Sequence, residues 1–125
     1  MGSILIDPRH EDVRIVVEAH VAAWSSVGVI APRSLLDSVE VALRRAGVDF
    51  GDAARGGLRG VVTVLAPPEA KGLEFDAVVV VEPAGFLREE EAGGRLLYIA
   101  LTRAVQDLSI VHSEPLPAAL RLALG

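Results

Sequence analysis

Apolar residues recur along this chain in two ways, at helical spacing and in short unbroken runs, and the two alternate. Asp7-Pro8 reads as an N-cap followed by proline at the first helical position. Glu11 and Asp12 suit the positive end of a helix running to about Trp24. "VGVIAP" (27–32) is an apolar run closed by proline and predicts a buried strand. "RSLLDSVEVALRRAG" (33–47) then sets Leu35, Leu36, Val39, Ala42 and Leu43 at helical spacing, with Gly47 placed to end the helix. "VDF" (48–50) predicts a stub of strand, and "DAARGGLRG" (52–60) a loop. Next come the run "VVTVLA" (61–66), the turn-rich "PPEAKGLEFD" (67–76) and the run "AVVVVEP" (77–83). "REEEAGG" (88–94) predicts a solvated loop. In the following "RLLYIALTRA" (95–104), Leu96, Leu97, Ala100, Leu101, Ala104 and Val105 fall on one helical arc, and Arg95, Tyr98, Thr102 and Arg103 on the other. "LSIVH" (108–112) predicts a last strand, and "LPAALRLALG" (116–125) a short helix or a frayed tail.

The strand runs are continuous in β-branched residues. That pattern implies burial on both faces, as in a parallel sheet covered by helices. Strands alternating with helices therefore predict an α/β, three-layer domain with a mostly parallel sheet. At 125 residues the chain makes one domain, able to bury roughly two-thirds of its unfolded surface. Residues 1–3 read as a cloning remnant left outside the fold, which puts the domain at 4–125 and implies that a native neighbour has been cut away on the N-terminal side.

Composition narrows the chemistry. With no cysteine, neither a disulfide nor a thiolate metal site is available. The chain is 51% hydrophobic, yet no apolar stretch reaches membrane-span length, so a cytoplasmic protein without membrane contact is expected. A net charge of -5 and a pI near 5.1 argue against a free-standing nucleic-acid binder. Lys71 is the one lysine among twelve basic residues and follows Ala70, so the chain has no Walker A motif.

In open α/β sheets ligands bind beyond the carboxyl ends of the strands. The positions to watch are thus Pro32-Arg33, Lys71-Gly72-Leu73-Glu74, and Arg103 on the helix alongside. Periodicity alone makes Arg103 a solvated helix residue. Glu82, at the end of "VVVVEP", is superficially like an acidic metal ligand but reads as a strand terminus. His10-Glu11-Asp12 reads as a solvated first turn, and His20 and His112 as core or surface histidines. There is no G-x-S-x-G elbow.

Together, "AKGLEFDAVVVVEP" and "LLYIALTRAVQDLSIVH" resemble motifs V and VI of the C-terminal motor domain of superfamily 1 helicases of the UvrD/Rep type, in the family's order. "VGVIAP" with its following helix resembles the motif IV region, so the resemblance spans roughly Val27 to His112, and among such motors it is nearest the HelD-like branch that acts on RNA polymerase. The resemblance implies a second RecA-like (2A) domain that closes an ATP site whose P-loop and magnesium-binding acid belong to a missing N-terminal RecA-like domain.

Motif V corresponds to Lys71, Gly72, Leu73, Glu74, Phe75 and Asp76, with Glu74 implied to accept a hydrogen bond from the ribose and Gly72 to allow a tight turn. Motif VI corresponds to Tyr98, Thr102 and Arg103. Arg103 is implied to be the arginine finger on the γ-phosphate, a role that calls for a permanently charged planar group. Tyr98 and Thr102 are implied to lie on the face that transmits closure. Arg33 stands for the motif IV arginine, although Pro32 occupies the position aligned first. The family's histidine between the motif V threonine and lysine is missing after Thr63, and no inserted subdomain fits between Val27 and Val61. The implied function is an ATP-dependent DNA helicase or translocase motor; the alternative is a module docking on RNA polymerase or a repair partner. The fragment alone is expected to be inactive.

Overall fold

The unbroken β-branched runs become strands covered on both sides. The computed structural model describes residues 2–5, 13–52, 61–89 and 93–118. Its strands are β1 (Gly2–Leu5), β2 (Val27–Ile30), β3 (Gly51–Asp52), β4 (Val62–Leu65), β5 (Phe75–Val81) and β6 (Ala104–His112). They form one six-stranded sheet in the order β1-β6-β5-β2-β4-β3, and every neighbouring pair is parallel. The helices are α1 (Val13–Ala23), α2 (Leu36–Arg45), α3 (Pro83–Glu89) and α4 (Gly93–Leu101).

Alternate residues of the central strands feed two cores. Val79 and Val81 of β5 join Val13, Val17, Val39 and Leu43 beneath α1 and α2. Val78 and Val80 point the other way, to Phe86, Leu97 and Ala100 of α3 and α4. Side chains of one strand thus serve both layers, which is why its sequence cannot alternate with polar residues. Gly47 ends α2 as expected, with φ of 74°. The Val48 N–H returns to the Leu43 carbonyl at 3.0 Å, closing the last turn.

Several expectations are corrected. The sheet extends to residues 2 and 3, which lie in β1, where Gly2 pairs with Ser109 and Ser3 with Ile110. The strand stub expected at 48–50 forms immediately after those residues, at Gly51–Asp52. The expected loop 88–94 instead contributes Arg88 and Glu89 to α3 and Gly93 and Gly94 to α4. Helix α3 has no apolar periodicity to betray it. Pro83 presets its first φ, and burial of Phe86 holds it to the sheet. Gly93 lets the two helices meet, since a Cβ there would lie 2.4 Å from the Phe86 carbonyl oxygen. Helix α4 ends at Leu101, and Arg103 lies in the turn into β6, not on the helix. β6 begins at Ala104 because Ala104 pairs with Phe75, and Val105, read as part of the apolar arc, is exposed. The Asp7-Pro8 cap, His10-Glu11-Asp12, most of the 52–60 loop and the tail from 119 lie outside the described residues.

Glu82 is not an ordinary strand terminus. It is buried, its φ of 49° is left-handed, and its carboxylate accepts the Ser113 N–H, the Ser113 hydroxyl at 2.6 Å and the Glu114 N–H at 3.4 Å. The carboxyl ends of β5 and β6 are tied through this one side chain. Arg88 adds a paired contact to Glu114, at 2.5 and 2.7 Å, and that bond together with the carboxylates of Glu82 and Glu89 raises its already high pKa. His20, buried on α1, faces the Ser109 hydroxyl at 2.8 Å and Asp107 at 3.6 Å and so fastens α1 to β6.

Glu82→Ala leaves two N–H groups without their acceptor and keeps a side chain at an unfavourable φ, so it should cost about 1–3 kcal/mol. Glu82→Gly loses the same acceptor but relieves the backbone, a difference of about 1 kcal/mol. Urea denaturation should therefore rank the midpoints wild type, Gly variant, Ala variant; a glycine variant no better than alanine would show that the φ carries no strain.

Candidate functional site

β4 and β5 both run parallel to β2, yet they are joined by only nine residues, 66–74, with no α-helix between them. A short 3-10 turn, Pro67–Ala70, starts at the carboxyl edge of the sheet and buries Ala70 in the α3/α4 core. The chain then passes to the amino edge, where β5 begins. Lys71-Gly72-Leu73-Glu74 therefore lies before a strand and not after one, and the expectation drawn from carboxyl ends is met by Pro32-Arg33 alone. Gly72 makes the corner with φ of 78°, and the Leu73 N–H bonds the Ala70 carbonyl at 3.1 Å. Lys71 and Glu74 are exposed, and no described residue bonds the Glu74 carboxylate.

Arg103 reaches the same edge from the other direction. Its carbonyl accepts the Phe75 N–H at 3.0 Å, joining the turn after α4 to the start of β5. Its half-buried side chain folds back on the open end of α4. There Nε donates to the Ile99 carbonyl at 3.1 Å, Nη1 to the Leu73 carbonyl at 3.5 Å, and Nη2 to the Thr102 hydroxyl at 3.2 Å. A cation suits the negative end of a helix, and this contact alone accounts for a structural arginine. A guanidinium carries five N–H donors, and three contacts leave two unused. Among the described residues no carboxylate pairs with it. Arg14, Arg33, Arg44 and Arg88 each have one, in Glu18, Glu69, Glu40 and Glu114.

The remaining expected site residues divide clearly. Thr102 is exposed beside Arg103, and Tyr98, one turn earlier on α4, is 68% exposed and so no core ring. Phe75 is buried. Asp76 is half-buried and works as a tie: it accepts the Ser25 hydroxyl and its N–H donates to Ser26 Oγ, both at 2.9 Å. Arg33 follows the carboxyl end of β2 and pairs with Glu69 at 3.3 Å. Seven residues of β5 separate the two edges, roughly 20 Å at the rise of a strand, so Arg33 does not join Arg103 and Glu74. Sequence reasoning missed the Leu73 and Ile99 carbonyls, which hold the guanidinium but as backbone groups leave no mark in residue type. Among the described residues no cluster of His, Asp or Glu is placed to hold a metal ion, and no helix is long and apolar enough to cross a membrane.

Ala at position 72 would meet nothing within 4 Å, so the residue is held to glycine by φ alone. Gly72→Ala should lower stability by about 1 kcal/mol, read as a fall in urea midpoint; an unchanged midpoint would mean that the corner relaxes to negative φ.

Residues 68–111 match the family model of the UvrD-like helicase C-terminal domain. The matched stretch runs from the 3-10 turn to the end of β6 and holds both motifs. The fold is that of the C-terminal domain of a possible DNA helicase from Lactobacillus plantarum WCFS1, with a TM-score of 0.76 and 23% identity over 95% of this chain and 76% of that one. The arterivirus nonstructural protein 10 helicase, in complex with DNA, matches with a TM-score of 0.58 and 20% identity over 94% of this chain. A second crystal structure of the arterivirus nonstructural protein 10 helicase gives the same score and identity over 95% of this chain. The chain spans about a third of those viral chains, 31% in each case. No curated protein matches significantly. The family model supports the resemblance over residues 68–111, the solved structures support the fold, and none of these matches singles out the HelD-like branch.

Proposed function

We propose that this chain, a UvrD-like helicase C-terminal domain with a RecA-like parallel sheet, is the second motor domain of an ATP-driven DNA helicase or translocase. The observation that carries the reading is the state of Arg103. Its guanidinium is oriented by two carbonyls and a hydroxyl, has no carboxylate among the described residues, and keeps two N–H donors for an incoming anion. It stands at the edge where Gly72 turns the chain and the Glu74 carboxylate is free to accept a hydrogen bond.

In this reading Arg103 meets the γ-phosphate of ATP and stabilises charge as the phosphoryl group departs, while Glu74 accepts a ribose hydroxyl. The N–H groups that cradle the other phosphates, and the acid that holds magnesium, come from an N-terminal RecA-like domain of the longer chain. Arg33, paired with Glu69 at the far edge, takes no part in the nucleotide contact. The net charge of -5 makes the isolated domain a weak binder of single strands, so DNA is gripped by the two motor domains together. No feature of the described residues or of the matched proteins favours the alternative of a module docking on RNA polymerase.

The 125-residue chain alone should hydrolyse no ATP and bind a non-hydrolysable analogue no more tightly than millimolar by calorimetry; micromolar binding with turnover would end the two-domain reading. In the full-length protein Arg103→Ala should lower steady-state ATPase by on the order of a thousandfold. Arg103→Lys should recover little, because an ammonium lacks the planar fork. Arg95→Ala, at an exposed site on α4, should be nearly silent.

A further inference from the structure

Thr102 sits between Arg103 and the last turn of α4, bonded to both. Its hydroxyl is shared between the Tyr98 carbonyl at 2.9 Å and the Ile99 carbonyl at 3.1 Å, and its oxygen accepts Arg103 Nη2 at 3.2 Å. We infer that Thr102 is a positioning residue for Arg103, fixing the plane of the guanidinium so that its two unused N–H donors face the anion. The inference rests on the proposed reading of Arg103 as the group that meets phosphate.

A guanidinium held only at Nε can still pivot about that single Nε–H···O bond. A second anchor on an Nη nitrogen is needed to set its plane. Two such anchors are present here, and they are unequal. The Leu73 carbonyl lies 3.5 Å from Nη1, outside the usual N–H···O range, whereas the Thr102 hydroxyl lies 3.2 Å from Nη2, at its limit. Thr102 is thus the shorter second anchor, and its own O–H is spent on helix carbonyls, which turns a lone pair towards the cation. The orientation of the guanidinium is thereby tied to the end of α4, a packed element whose Leu96, Leu97 and Ala100 are buried. A planar donor misaligned by even a small swing forfeits the fork geometry that makes arginine suited to phosphate.

The plain alternative is that the hydroxyl merely closes the end of α4, a common habit of threonine. A capping role would show in thermal melts and not in turnover. The test is steady-state ATPase of the full-length protein beside thermal melts. Thr102→Val, which keeps the shape and removes the hydroxyl, should lower kcat by on the order of tenfold to a hundredfold with KM for ATP changed much less. Thr102→Ser should restore most of the rate. In the Arg103→Ala background Thr102→Val should cost nothing further, because the group it positions is gone. A wild-type kcat for Thr102→Val in a protein that Arg103→Ala inactivates would overturn this inference and leave the reading of Arg103 standing, as would a full additive loss in the double variant. A silent Arg103→Ala would overturn both.

Discussion

The hydrogen bond from the Phe75 N–H to the Arg103 carbonyl, 3.0 Å long, is the point at which two separate stretches of sequence become one site. Phe75 opens β5 and pairs with Ala104, which opens β6, so the residues just before each strand are forced side by side. Those residues are Leu73 and Glu74 on one side, Thr102 and Arg103 on the other. The position of Arg103 is thus set by sheet register, and its side chain adds only the last bonds, to Ile99, Leu73 and Thr102. The register shifts by one residue between Phe75 and Ala77, so the local Phe75–Ala104 pairing, and not the valine run beyond it, brings Arg103 to this point.

The two edges of the sheet are built for different ends. At the carboxyl edge charges are matched within the chain: Arg33 to Glu69, Arg88 to Glu114, and the Glu82 carboxylate to the backbone of Ser113 and Glu114. An anion arriving there meets arginines already neutralised. At the amino edge Lys71, Glu74 and Arg103 have no ionic partner among the described residues. Ligand preference for strand carboxyl ends reflects where loops of a doubly wound sheet converge. Here the nine-residue passage from β4 to β5 moves the polar loop to the opposite edge, so the proposed site lies away from the strand carboxyl ends.

Much of the fold was legible because burial on two faces writes a pattern of its own: all four apolar runs expected as strands are strands, and Gly47 ends α2. What escaped reading was set by contacts between distant residues. Helix α3 depends on Phe86 entering a core made by other elements, and "PAGFLRE" carries no stripe that announces it. The boundary between α4 and β6 was misread because Ala104 and Val105 continue the helical spacing of Leu97 and Leu101; pairing with Phe75 decides the matter, and spacing cannot register that. Of the candidate site, the residue types of Gly72, Glu74, Thr102 and Arg103 were legible through the resemblance. The separation of Arg33 was not, since it follows from strand direction alone.

A helix-capping arginine and a phosphate-binding arginine make opposite demands on the same side chain, and the geometry of Arg103 is compatible with both. Capping alone would favour a guanidinium fully spent on carbonyls, which would then surrender about 1 kcal/mol for each bond lost on meeting a ligand. Arg103 is instead held by three of its five N–H donors, two of them at 3.2 and 3.5 Å, so it can keep its short Nε contact to Ile99 and still offer its remaining donors. Nothing need be broken before an anion is met. The bonds that order the side chain beforehand reduce the conformational entropy lost on binding, which for a free arginine is close to 2 kcal/mol. In the proposed role the cap would serve as preorganisation, and the reading of Arg103 as a helix-end residue describes the same geometry from which that proposal proceeds.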